Sequence, residues 1–125
     1  MIYLYDGTFS GFLTCIYAHY YQQRCEGIHA NNSYQHHLFE ETSFIESDDR
    51  KADQVYGGMK AKLNQETVNH IHYVFQSQEA SHDTYLLQYI ELAFKNPKAI
   101  DLYHTHPVVL RIHEMSRRVS FEVHR

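Results

Sequence analysis

The sequence predicts an α+β fold, predominantly helical, with about five helices packed with a small two-stranded β-ribbon made of residues 2–5 and 43–46. Three observations predict it. Apolar residues recur at steps of three and four in five separate stretches, the mark of helices that bury one face. Two short β-prone stretches, IYLY and SFIES, stand outside those helices, and because an isolated strand cannot satisfy its own backbone, they are expected to pair. The chain has 125 residues, the size of one domain, and such a domain buries roughly two-thirds of its unfolded surface without disulfide or metal staples. A single helical domain over 1–125 is the expectation.

Each element follows from local chemistry. IYLY opens the chain as a buried strand and breaks at Asp6-Gly7, a turn dipeptide. Thr8 is a fair N-cap for a first helix over about 8–24, where Phe9, Phe12, Leu13, Ile16, Tyr17 and Tyr20 share a face. Residues 25–42 mix Gly, Asn, Ser and His without a period and read as a loop. Asp48 or Ser47 caps a second helix with Ala52, Val55, Tyr56, Met59 and Leu63 inward. The Gly57-Gly58 pair in it points to close packing or a kink.

Asn64 caps a third helix, with Val68, Ile71, Val74 and Phe75 on one face. Ser81 or Asp83 starts a fourth, carrying Tyr85, Leu86, Tyr89, Ile90, Ala93 and Phe94, and Asn96-Pro97 ends it. Pro107 suits the first turn of the last helix, with Thr105 or His106 as cap. Its stripe, Val108, Ile112, Met115, Val119 and Val123, falls at steps of 4, 3, 4 and 4. No Gly, Asn or Pro stops this helix before the chain ends.

Composition excludes some functions. The net charge of −4 is not that of a strongly basic nucleic-acid binder. It is uneven, with seven acids against two bases in residues 1–50 and eight against nine in residues 51–125. An anion-binding surface therefore belongs to the second half. No apolar stretch approaches the ~18 residues of a membrane span and no signal peptide leads the chain, which places it in the cytoplasm and off the membrane. Cys15 and Cys25 lie ten apart on one helix and the turn after it, a spacing that carries them away from each other and fits free thiols.

Chemistry-bearing patterns are sparse. His70 and His72 point about 200° apart on a helix, His36-His37 are adjacent in a loop, and no HExxH or paired CxxC accompanies them, so no metal site is expected. No GxSxG, P-loop or GxGxxG glycine pattern occurs, and no cofactor is expected. Glu40-Glu41 and Asp48-Asp49 flank a loop or helix start, where acids complement the helix dipole. The last helix carries the sharper signal. Arg111, Glu114, Arg118, Glu122 and Arg125 alternate in sign along one face, while His113, Arg117, Ser120 and His124 form a face without acids. Arg111, Arg117, Arg118, His124 and Arg125, with Lys60 and Lys62, are the candidate contacts to a nucleic acid or a protein partner.

The stretches YLYDGTFSGFLT (3–14), DDRKADQVYGGMKAKL (48–63), HYVFQS (72–77), TYLLQYIELAFK (84–95) and HPVVLRIHEMSRRVSFEVHR (106–125) resemble the bacterial DUF4130 family. Its members are assigned to DNA metabolism or DNA repair and are encoded beside a radical SAM protein, some being fused to a uracil-DNA glycosylase-like domain. Tyr3, Tyr5, Asp6, Gly7, His106, Pro107 and Glu122 carry the family motifs. Members continue past the segment equivalent to Glu122, His124 and Arg125, so this chain is expected to be the N-terminal portion of a longer architecture. The resemblance implies a DNA-repair accessory or adaptor domain whose partners are the radical SAM protein, the glycosylase-like protein, or both, with DNA as a further contact. The alternatives are a DNA-repair enzyme whose active site needs a missing C-terminal part, and a direct DNA-binding module. The resemblance transfers no catalytic residue. The partner's iron–sulfur chemistry does not transfer either, because it needs a trio of cysteines.

Overall fold

The computed structural model describes residues 1–35 and 39–123, and the chain divides into two compact units, Met1–Gly58 and Met59–Arg125. The predicted class holds: among the described residues, five helices accompany a small sheet.

In the first unit, strand β1 (Ile2–Tyr5) is buried along its whole length. Helix α1 (Phe9–Tyr21) follows it, then β2 (Gly27–Ala30), a 3₁₀ turn (Asn31–Ser33) and β3 (Thr42–Phe44). The sheet order is β2-β1-β3 and both pairings are parallel, with Ile2 opposite Gly27 on one side and Thr42 on the other. The expected two-stranded ribbon is thus a three-stranded parallel sheet, and the expected loop at 25–42 contains its third strand. A central parallel strand paired on both edges reads as an uninterrupted apolar run, as IYLY does. GIHA is too short and too near Gly and Asn to declare itself.

Helix α1 closes at Tyr21, short of the expected residue 24. Phe12, Ile16 and Ile28 are fully buried in this unit, and the Tyr5 and Phe12 ring centres lie 6.0 Å apart. Cys15 and Cys25 are buried and not joined in a disulfide, and His19 Nδ1 accepts the Cys25 backbone N–H at 2.9 Å.

Helix α2 (Asp49–Lys62) begins where Asp48 Oδ1 accepts the backbone N–H groups of Arg50 and Lys51 at 3.0 and 3.2 Å, so Asp48 is the cap. Among the described residues, none packs closely on the glycine pair. A Cβ placed at Gly57 or Gly58 meets nothing within 4 Å, and the helix runs through both.

The second unit packs α3 (Gln65–Ser77), α4 (His82–Lys95) and α5 (Pro107–Val123) against one another, with a 3₁₀ turn (Ile100–Leu102) between the last two. Asn64 Oδ1 caps α3 by accepting Thr67 N–H at 2.9 Å. α4 ends at Lys95, and Asn96 is its C-cap. Ile71, Val74, Leu86, Tyr89, Ile90 and Ile112 are fully buried. The stripe of α5 is rotated from the expected one. Val109 is buried in place of Val108, and the face continues through Ile112, Met115 and the small hydroxyl of Ser116. Among the described residues, no helix is long and apolar enough to cross a membrane.

Candidate functional site

Four elements of the second unit converge on the Asp101 carboxylate. α3 places Thr67 and His70 three residues apart, hence on one face. α4 contributes Tyr89 from the core, the 3₁₀ turn presents Asp101, and α5 contributes His113. Oδ1 of Asp101 accepts from Tyr89 OH at 2.5 Å and lies 2.8 Å from His113 Nε2 and 3.2 Å from His70 Nδ1. Oδ2 lies 2.6 Å from the Thr67 hydroxyl, which is also 2.8 Å from Asn64 Oδ1. One hydroxyl proton serves one strong bond, and the charged, nearer acceptor takes it. Asn64 then holds Thr67 through its backbone N–H.

The electrostatics follow from this crowding. Burial pushes the Asp101 carboxyl up, but hydrogen bonds from His70, His113, Thr67 and Tyr89 outweigh it and hold the group well below the usual carboxylate range. Burial, and after it the adjoining carboxylate, pushes the Tyr89 phenol far above its ordinary value, so it remains a donor. The two imidazole centres stand 4.8 Å apart, and the exposed His104 ring lies 6.0 Å from His113. The side chains of His70, Asp101 and His113 are 15%, 12% and 19% exposed, so the cluster sits just beneath the surface.

A second polar cluster gathers on Glu79. Arg118 donates to it through Nε at 3.0 Å and a terminal nitrogen at 2.8 Å, and Arg111 approaches at 3.4 Å. Arg111 also lies 3.7 Å from Glu114 and over the Tyr85 ring. Two of the predicted contact residues are therefore drawn together onto an acid. Arg117, Lys60 and Lys62 are exposed on their helices. His124 and Arg125 lie outside the described residues, and Glu122 lies within α5.

The remaining motif residues build local structure. Tyr3 and Tyr5 are buried in β1, and Tyr3 OH donates to the Gln23 carbonyl at 2.5 Å. Gly7 has φ +88°, a left-handed value that favours glycine. Asp6 Oδ1 accepts from the Thr8 hydroxyl and N–H at 2.6 and 3.0 Å, and those bonds hold its carboxyl below its ordinary value. Thr8 Oγ1 in turn accepts Gly11 N–H at 3.0 Å, which caps α1. His106 Nδ1 accepts Val108 N–H at 3.2 Å and caps α5, of which Pro107 is the first residue. In the first unit, Thr14, Gln22, Phe44, Asp48 and Lys51 are among the residues lining a groove of about 370 Å³.

No family model, curated protein or solved structure matches the chain. The sequence did not point to Asp101. Histidines were weighed by spacing within single elements, which set His70 against His72, whereas the cluster draws one side chain each from most of its elements. The single local signal was Thr67 and His70 on one turn of α3.

Proposed function

We propose that the chain is a cytoplasmic accessory domain of bacterial DNA repair or DNA metabolism that docks a partner protein, namely the radical SAM protein or the glycosylase-like protein implied by the resemblance. The observation that carries the docking reading is the Glu79 cluster. Binding to duplex DNA draws on cations free to displace counterions, each phosphate contact adding about 0.9 to the salt slope. Arg111 and Arg118 already face a carboxylate, and the chain as a whole is net negative. Leu102, Tyr103 and Leu110, 71%, 47% and 45% exposed, supply apolar and aromatic contacts of the kind that anchor protein interfaces.

The test sets the two partners side by side. Fluorescence anisotropy with labelled duplex DNA is expected to show no saturable binding at physiological salt, while co-purification with the radical SAM protein survives Arg117→Ala and Arg118→Ala. Tight DNA binding whose salt slope falls with those substitutions would make the chain a DNA-binding module instead.

A DNA-repair enzyme is the second reading, and the convergence on Asp101 favours it. It requires turnover of damaged DNA that Asp101→Asn abolishes in a folded protein. Turnover indifferent to that change would remove Asp101 from the reaction.

A further inference from the structure

We propose that His70, Asp101 and His113 form a binding site for a divalent transition-metal ion of the Zn²⁺ class, with Thr67 and Tyr89 orienting the carboxylate. This site is independent of the docking reading. Two imidazole nitrogens and one carboxylate oxygen are a donor set that such ions take from proteins, with one or more positions left for water or another ligand.

The geometry fits that donor set. One ligand atom from each of the three residues lies within 4.8 Å of the other two. Around Zn²⁺, bonds of roughly 2.0–2.2 Å in a tetrahedron set ligand atoms about 3.3 Å apart. Asp101 Oδ1 is already 2.8 Å from His113 Nε2 and 3.2 Å from His70 Nδ1, while the two ring nitrogens lie within 4.8 Å of each other, so admitting an ion needs Oδ1 to draw back by about half an ångström and the imidazoles to turn until their nitrogens are up to about 1.5 Å closer.

Charge points the same way. A largely buried carboxylate is normally matched by a cation or a metal, yet among the described residues the groups bonded to Asp101 are a threonine, a tyrosine and two histidines, with no lysine or arginine. A cation between Oδ1 and the two imidazoles would supply a permanent positive charge there. The outer contacts are those that fix a metal ligand in place. Thr67 holds Oδ2 and leaves Oδ1 toward the imidazoles, Asn64 fixes Thr67, and the Tyr89 hydroxyl braces Oδ1 from the core. The partial exposure of all three side chains gives an ion a path in.

The 125-residue chain, stripped with a chelator, is titrated with Zn²⁺ alone by isothermal calorimetry and with Co²⁺ by visible absorption, whose intensity reports coordination number. One equivalent is expected to bind. Asp101→Asn, His70→Gln and His113→Gln should each weaken it by about 100-fold or more, and Thr67→Val by about 10-fold, as a positioning residue should. His29→Gln, in the other unit, should leave it unchanged. Circular dichroism accompanies every variant, and if Asp101→Asn fails to fold, the two histidine variants decide. A wild-type chain that takes up no stoichiometric Zn²⁺, or one-equivalent binding that persists in both folded histidine variants, would overturn the proposal and leave a hydrogen-bonded hub.

Discussion

At the scale of single residues, Asp101 is the position with the largest expected effect. Four donors share its carboxylate, so Asp101→Ala strands them at once and should cost about 1–3 kcal/mol, the range for leaving buried hydrogen-bonding groups unsatisfied. Asp101→Asn keeps the shape and isolates the charge. Because the folded carboxyl is held below its usual range, its stabilisation is in place above the ordinary aspartate value near 3.9 and is lost as pH falls below it. The stability gap between wild type and Asp101→Asn, followed by urea titration between about pH 6 and about pH 2, should therefore narrow on the acid side. A gap that stays constant would mean that the carboxylate charge contributes nothing. Gly11 is a second such position. An added Cβ would collide with Asp6 Oδ1 and meet Ser47 Oγ at 3.1 Å, and Asp6 is tied by its bonds to Thr8 and Ser47. The helix-propensity gain of up to about 1 kcal/mol is outweighed by an overpacking cost of about 1–3 kcal/mol. Gly11→Ala should thus lower the thermal midpoint, and an unchanged or raised midpoint would contradict the close approach.

At the scale of elements, α2 gives the converse case. Gly57 and Gly58 have open space where a side chain would stand, so Gly57→Ala or Gly58→Ala should add stability, by roughly 0.5–1 kcal/mol each. A loss in denaturant melts would reveal a packing need that the helix surface does not show. The five helices were legible because each announced itself twice, by an apolar stripe and by a cap such as Thr8, Asp48 or Asn64. β1 was legible as IYLY, but β2 was not, because parallel pairing is settled by chain crossing through α1 and leaves no alternation in GIHA. The phase of α5 was ambiguous for a different reason. Val108 and Val109 both fit steps of three and four with Ile112, and burial of a small polar Ser116 is what selects Val109. Asp101 was invisible because a constellation from several elements has no sequence spacing. Arg111 and Arg118 stand on the face of α5 read as alternating in sign, but Glu79, thirty-nine residues from Arg118, could not be assigned to it from helix periodicity. Glu79→Gln should release both guanidinium groups at a cost of no more than about 1 kcal/mol, since the cluster is partly exposed. It should also raise affinity for duplex DNA measured at low salt. Unchanged affinity would show that Arg111 and Arg118 do not face a DNA-accessible surface.

At the scale of the whole molecule, the question is which macromolecule the surface suits. Acidic residues outnumber basic ones by fifteen to eleven, so long-range attraction to a polyanion is weak and any encounter with DNA leans on local cations. Two of these are engaged by Glu79. The segment from the 3₁₀ turn into α5, by contrast, leaves Leu102, Tyr103 and Leu110 in water. Apolar surface of this kind costs little in a monomer and becomes favourable when covered, at roughly 25 cal/mol per Å². Leu102→Asp with Leu110→Asp separates docking from folding. Both side chains are exposed, so stability should change by less than about 0.5 kcal/mol per substitution, and the circular dichroism spectrum should not change. Affinity for the proposed radical SAM partner should fall by 10-fold or more, the effect of losing about 1.4 kcal/mol of contact. If the doubly substituted chain still binds that protein as tightly as the wild type, the docking face lies elsewhere. If it loses binding because it has unfolded, the midpoint will report it, and Tyr103→Ser, a milder change at the same segment, then decides between the two.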